Sequence, residues 1–324
     1  MAGAPWSDGG RGERSYSAWP AYRSSDSGGM RARATTLRRR ALFACATSDS
    51  FERLVRATPA GERRAFERAR RYVAGIHRDD ALSTVERLGR AGIGSAVDFF
   101  GEDVRDTGTA ASVANDYLAL ANAVRPLRAE VNLALDLSHL GIDVDPIGCR
   151  EHLVRIAGEL DSGSVVQVGA EDSSRTDAIL DCVVAAKAAG AAVAGTLQAN
   201  LRRSRDDAQR LADAGVPVRL VKGAYVEPTS IAHPYGEETD AAFARLAQQL
   251  HEAGAALALA THDRVLRAAL LPGLPDAGVE QLLGVRPADA EELVRQGRRV
   301  RVYVPYGEGW FRYWMRRVAE AQGT

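Results

Sequence analysis

Lysine is almost missing from this chain. Of its 42 basic residues only Lys187 and Lys222 are lysines, and 42 acidic residues bring the formal net charge to zero. A balanced charge excludes a general nucleic-acid binder, which needs a basic face. Cysteine is scarce and odd in number. Cys45, Cys149 and Cys182 lie far apart in sequence, so neither a disulfide framework nor a zinc spacing follows, and a reducing cytoplasm is the expected compartment. Long apolar runs are missing too: the Ala-rich stretch 183–199 is broken by Lys187, Gly190 and Gly195, which excludes a transmembrane segment there. The N-terminus has no apolar core of a signal peptide. His77, His139, His152, His233 and His251 have no partner at ligand spacing, and His-Glu-x-x-His does not occur, so no metal is assigned. No Gly-x-Gly-x-x-Gly follows a strand candidate and no phosphate-binding loop is present, which argues against a Rossmann site.

What is present is ordinary for a globular protein: 46% hydrophobic and 26% charged residues over 324 positions, enough for one large domain or two small ones. Residues 1–29 are rich in Gly, Ser and Arg without periodicity and are expected to be a disordered tail, with Met30 a candidate start. Residues 30–92 read as a helical segment: Thr36–Ala46, Asp49–Ala57, Pro59–Val73 and, after an acidic break, Ala81–Ala91. From residue 93 to 324, β-branched runs alternate with Ala/Leu/Arg-rich amphipathic stretches. The strand candidates are 93–99, 131–137, 165–170, 193–198, 217–222, 256–261, 279–284 and 300–305. Strand–helix alternation implies parallel strands with right-handed crossovers, and eight such units predict an α/β fold, a (β/α)8 TIM-type barrel with N-terminal helices.

In such a barrel chemistry sits at the carboxyl ends of the strands. The apolar runs end at or near Asp136, Gln198, Arg219, Lys222, Thr261, His262, Asp263 and Tyr303, which makes these the candidate site residues. The terminal segment Trp310-Phe-Arg-Tyr-Trp-Met-Arg-Arg-Val-Ala-Glu320 reads as a helix. It places Tyr313, Arg316, Arg317 and Glu320 on one face, where two guanidiniums could clamp a carboxylate. An amphipathic terminal helix with a surface ion pair explains the same pattern.

The segments Arg219-Leu-Val-Lys-Gly-Ala-Tyr225, Ala260-Thr-His-Asp263, Thr196-Leu-Gln198 and the Tyr303 strand with its Tyr313/Arg316/Arg317 helix together resemble the proline dehydrogenase family, the FAD enzymes that oxidise proline to pyrroline-5-carboxylate. The order and spacing of all four blocks match, from about residue 35 to the end. The resemblance implies an amino-acid substrate, FAD as cofactor with hydride transfer to its N5, and an electron acceptor that could be a quinone. It implies that Arg316 and Arg317 hold the carboxylate and that Tyr225, Tyr303 and Tyr313 wall the substrate against the isoalloxazine. Arg219 would approach N5, and Glu320 would fix an arginine or touch the cofactor. Ala170, Gln198, Val221, Lys222, Gly223, Ala224, Thr261 and His262 would contact FAD.

Two departures stand out. Where the family has a lysine that contacts substrate, the run Asn132-Leu-Ala-Leu-Asp-Leu-Ser-His-Leu-Gly141 has Asp136. Where the family has the aspartate that pairs with it, the run Gly169-Ala-Glu171 has Gly169. Leu283 also stands where the family often has an aromatic or histidine. The expected activity is L-proline oxidation. The alternatives are a divergent enzyme for another amino acid or cyclic amine, with Asp136 pairing an extra cationic group, or a flavin- or ligand-binding barrel without turnover.

Overall fold

A computed structural model describes residues 49–127 and 129–321. The expected tail over 1–29 and the helix expected over Thr36–Ala46 lie outside the described residues. The first described elements are α1 (Asp49–Arg56) and α2 (Pro59–Ala69). Thr58 caps α2 by accepting the Gly61 amide at 3.1 Å, and Pro59 follows in the first turn, where its missing N–H has no partner to lose. Helix α3 (Arg78–Arg90) begins before the expected Ala81. The acidic pair read as a break is its first turn: Asp80 accepts the His77 amide at 3.1 Å, and Asp79 and Asp80 sit at the positive end of the helix.

Eight strands follow, close to the expected segments: β1 (Gly94–Phe99), β2 (Val131–Leu135), β3 (Val166–Val168), β4 (Val193–Gln198), β5 (Val218–Val221), β6 (Leu257–Ala260), β7 (Gly278–Leu282) and β8 (Val300–Tyr306). They form a closed parallel barrel in chain order, sealed by β1 against β8 with Gly94 opposite Arg301 and Asp98 opposite Pro305. Between them run α4 (Thr107–Val124), α5 (Pro146–Gly158), α6 (Thr176–Ala188), α7 (Ser204–Asp213), α8 (Glu237–Glu252), α9 (Arg264–Leu270) and α10 (Pro287–Arg295), and α11 (Trp310–Ala321) follows β8. This is the (β/α)8 barrel with N-terminal helices that the alternation predicts. Aspartates start several helices at the carboxyl face: Asp106 accepts the Thr109 amide at 2.8 Å, Asp145 that of Gly148 at 3.0 Å and Asp263 that of Val265 at 2.9 Å. No helix among the described residues is long and apolar enough to cross a membrane.

Alternate strand residues divide the barrel into two environments. Val97, Leu133, Val166, Leu220, Leu259 and Val302 point outward into one continuous core beneath the helices. The inward set is polar. Gln167 on β3, Arg219 on β5, Glu280 on β7 and Arg301 on β8 come from separate strands yet touch one another, which only the interior allows. Interiors of this fold are usually filled by branched apolar side chains. Here Ala194, Ala258 and Gly278 are small, and a well of about 250 Å³ remains, lined also by Asn132, Arg219 and Arg301. A second core joins α2 to α11: Ala65, Ala69, Trp310, Phe311 and Met315 are buried together, with the Phe66 ring 5.1 Å from Trp310. That contact fixes the terminal helix over the barrel mouth.

On the flank, Asp289 of α10 accepts from buried Arg267 of α9 at 2.7 Å and from the largely exposed Arg264. Hydrogen bonds from Arg264 and then Arg267 hold its carboxyl at a pKa of about 2. A depressed folded pKa contributes stability that is complete above the unfolded value of about 3.9 and is lost as pH falls through the folded one. Asp289→Asn should therefore cost about 3 kcal/mol at pH 7, chiefly by stranding Arg267. Denaturant titrations should show the gap to wild type closing as pH falls from about 4 toward 2. A gap constant over that range would show that Asp289 does not act through its charge.

Candidate active site

The carboxyl ends of the strands form a mouth beneath α11, and its two sides differ. On the β8–β1–β2 side, Asp98 of β1 accepts from the Tyr117 hydroxyl of α4 at 2.9 Å and from the Tyr303 hydroxyl of β8. Burial raises the Asp98 pKa to about 6, against the lowering effect of both hydroxyls and of Arg219 and Arg316. Tyr303 stacks near Tyr313 of α11 at 6.0 Å, and Phe100 lies 5.2 Å from Tyr313 on the other side. Arg317 lies over the Tyr313 ring at 5.0 Å, a cation–π arrangement. Arg316 acts on the charges of Asp98, Asp136 and Tyr225, which sets it over the same hollow. The Glu320 side chain lies outside the described residues.

Asp136 leaves β2 and turns into this hollow. A Cβ added at Gly169 would fall 1.8 Å from its Oδ1, so the missing side chain at 169 is the space that Asp136 fills. Burial first, then the charges of Asp98 and Glu171, push its pKa well above the carboxylate range. Burial also raises Tyr225, with Asp136 adding to the effect. Glu171 is held in place: it accepts the Ser138 amide at 3.0 Å and Arg175 at 3.2 Å, and its carbonyl accepts from the Gln198 amide group at 2.8 Å. Arg175 also pairs with Asp103, Asp143 and Asp172, tying the loops after β1, β2 and β3 together. Ala170, Thr196 and Gln198 line a narrow crevice between the ends of β3 and β4.

The β4–β6 side is lined differently. Arg219 lies inside the barrel, deeper than a strand end, because the inward alternation of the short β5 sets it level with Thr196 and Ala258. Its Nε donates to Glu280 at 2.8 Å. Glu280, itself 4% exposed, also accepts from Gln167 at 2.9 Å and Arg301 at 3.0 Å. Beyond Val221 the chain turns at Gly223 with φ +111°, where a Cβ would meet Asn200 Oδ1 at 2.0 Å, so only glycine fits. Asn200 Oδ1 is buried without a partner among the described residues. Lys222 directs its ammonium away from the axis, to Asp240 at 2.6 Å and Asp263 at 2.9 Å. Burial pulls its pKa down, but the two carboxylates outweigh this and hold it above the ordinary value. The lone lysine of this segment thus fastens β5 to α8 and to the end of β6, and its backbone with that of Ala224 is what remains toward the mouth.

Thr261 Oγ1 accepts the Asp263 amide at 3.1 Å, and His262 Nε2 accepts the Leu282 amide at 3.0 Å. Burial, then the charges of Arg267, Arg317 and Arg286, lower the His262 pKa to about 4, so the ring is neutral at pH 7. Since Nε2 accepts, the proton is on Nδ1, and that buried donor has no partner among the described residues.

The mouth therefore gathers Asp136, Tyr225, Tyr303, Tyr313 and Arg316 on one side and Gln198, Val221, Gly223, Thr261 and His262 on the other, with Arg219 below. Sequence reasoning missed Asp98, Tyr117, Glu280, Asn200 and Glu171. A signal existed for two of them: Asp98 and Glu280 are lone acids within otherwise apolar or neutral strands. Among the described residues no group of His, Cys, Asp and Glu is arranged to hold a metal ion.

Comparison with known proteins agrees with this geometry. The family model of proline dehydrogenase matches residues 81–324. Proline dehydrogenase 1 of Bacillus subtilis is 33% identical over 260 residues, 78% of this chain and 86% of its own length. Proline dehydrogenase of Deinococcus radiodurans is 32% identical over 297 residues, 88% of this chain and 94% of its own. Among solved structures, proline utilization A of Bdellovibrio bacteriovorus inactivated by N-propargylglycine superposes with a TM-score of 0.73 at 21% identity, over 90% of this chain. This chain spans only 37% of that longer protein, and the likeness there is one of fold. A matched barrel, a family match over most of the chain and relatives aligned along nearly their whole length agree, and the chain is an enzyme of the proline dehydrogenase family.

Proposed function

We propose that this enzyme oxidises L-proline to pyrroline-5-carboxylate, with FAD held at the carboxyl ends of β4, β5 and β6. The observation that carries this reading is the placing of Arg316 beside an aromatic wall of Tyr303 and Tyr313, across the mouth from unmet polar atoms. The residues present fit the cofactor. His262 Nδ1 offers a buried donor and Asn200 Oδ1 a buried acceptor, each without a partner among the described residues, and Gly223 leaves backbone open to close approach. Gln198, Val221, Lys222, Gly223, Ala224, Thr261 and His262 would hold it, the lysine through its backbone. FAD bound there would supply the two-electron chemistry, as acceptor at its N5 for the hydride from the proline C5.

The chain's own residues bind, orient and shield. Arg316 and Arg317 hold the substrate carboxylate by charge-assisted hydrogen bonds. Tyr225, Tyr303 and Tyr313 enclose the ring and exclude water. Arg219 stabilises negative charge on the cofactor side, and its Nε bond to Glu280 fixes the guanidinium plane beforehand. A second reading, oxidation of another amino acid or cyclic amine, is favoured by one observation: the carboxyl of Asp136 stands in the substrate wall.

The purified protein should show a flavin spectrum that L-proline bleaches without oxygen. Bleaching only by other amines would favour the second reading, and a bound flavin that no amine bleaches would mean a binding barrel. Arg219→Met should slow flavin reduction by about 100-fold while changing ligand affinity little. An unchanged rate would remove Arg219 from the reaction. Arg316→Ala should weaken carboxylate ligands by about 2–5 kcal/mol in equilibrium titration. Wild-type affinity would mean that α11 only covers the mouth.

A further inference from the structure

The Asp136 carboxylate faces the hollow and makes no hydrogen bond to another described residue. The charged and titratable groups around it are Asp98 on β1, Glu102 beyond it, Tyr117 on α4, Glu171 beyond β3, Tyr225 beyond β5, Tyr303 on β8 and Arg316 on α11. Asp98 is satisfied by two tyrosine hydroxyls, and Glu171 by an amide and Arg175. Asp136 alone of the three has its charge unmet. Among the described residues Arg316 is the cation that acts on it most strongly, yet the two do not lie within ion-pair distance of each other. An α-amino acid carries a carboxylate and an ammonium on the same carbon, and such a zwitterion needs a cation and an anion held apart in one hollow.

We propose that Arg316 and Asp136 form a zwitterion clamp, in which the guanidinium takes the substrate carboxylate and Asp136 takes the substrate's ammonium and then its proton. The proposal rests on the reading that this site oxidises an amino acid. In the proton step an N–H bond of the ammonium breaks and an O–H bond forms on Asp136, with no electrons gained or lost. The lone pair set free on nitrogen is what cleavage of the neighbouring C–H bond requires. Burial and the neighbouring acids, which hold its pKa above the ordinary carboxylate value, favour the protonated product of that step. Asp136 is thus a catalytic residue, and Gly169 is a positioning residue that vacates its slot.

The test uses the flavin-loaded enzyme and two unreactive ligands. Cyclopentanecarboxylate has the carboxylate but no amine. 5,5-Dimethylproline has the amine but no hydrogen on C5. Asp136→Asn should weaken 5,5-dimethylproline by at least about tenfold and leave cyclopentanecarboxylate unchanged or tighter. Gly169→Ala, whose Cβ must displace the carboxylate, should act in the same direction without touching Asp136 itself. In the Asn variant only substrate already carrying a neutral amine reacts, so its kcat/KM should climb about tenfold per pH unit up to the pKa of the free amine, a profile wild type should not share. Equal weakening of both ligands, or an unchanged pH profile, would overturn the clamp. If proline fails to bleach the flavin but the ligand discrimination persists, proline falls as the substrate and the clamp stands for another amino acid.

Discussion

Burying a carboxylate inside a parallel barrel is costly unless its lone pairs are met, and this barrel meets those of Glu280 from three other strands. Gln167, Arg219 and Arg301 reach it from β3, β5 and β8. Buried ion pairs contribute little net stability, because desolvation consumes most of the Coulomb gain. What they contribute here is orientation. With Nε committed to Glu280, the Arg219 guanidinium has a fixed plane, and its remaining nitrogens keep one position relative to the mouth. An apolar interior would serve the barrel's stability as well and would leave Arg219 free to reorient. The small residues around this network and the well beneath it indicate that apolar layers are not what organises the interior.

The same logic separates the two aspartates at the rim. Asp98 and Asp136 share a desolvated hollow and influence each other, but their surroundings differ. Two phenolic hydroxyls donate to Asp98, which draws its pKa back toward the acid side after burial has raised it. Asp136 receives no such donor from the described residues, and the neighbouring acids push it further up. Two identical side chains thereby differ through their environments, one a fixed acceptor for Tyr303 and Tyr117, the other the group that the proposed clamp assigns to a ligand.

Much of this was legible in the sequence. Strand-length apolar runs alternating with amphipathic stretches gave all eight strands, since period and length are local properties. The ends of those runs named most of the mouth for the same reason. What local reading could not supply was depth and direction. Arg219 stands near the end of an apolar run, yet alternation turns it inward onto a carboxylate 61 positions away. Lys222 looks like a site ammonium because it is rare and sits at a strand end, but one further step along the chain turns it outward to Asp240 and Asp263. Tyr303 meets Asp98 across 205 positions, a contact created only when β8 closes on β1. Cys149 and Cys182, unrelated in sequence, become buried neighbours on α5 and α6.

The pair of departures from the family pattern becomes one change once it is seen in space. In sequence, Asp136 and Gly169 are separate substitutions on different strands. In the barrel, β2 and β3 are adjacent and Gly169 lies one step beyond the Leu135–Val168 pairing, so the two positions share a single volume. A side chain at 169 cannot coexist with the present Asp136 rotamer, because its first carbon would overlap the carboxylate. A second carboxylate there would also face Asp98 and Glu171 without a cation to balance it. Size and charge therefore couple the two positions, and neither can be interpreted alone. The wall they form is acidic where the resemblance leads one to expect a matched pair of opposite charges. Among the described residues the cation acting most strongly on it is Arg316, on the helix that closes the mouth. A group able to donate a hydrogen bond or bring a positive charge is what this wall would favour, and the proposed clamp assigns that part to the substrate amine.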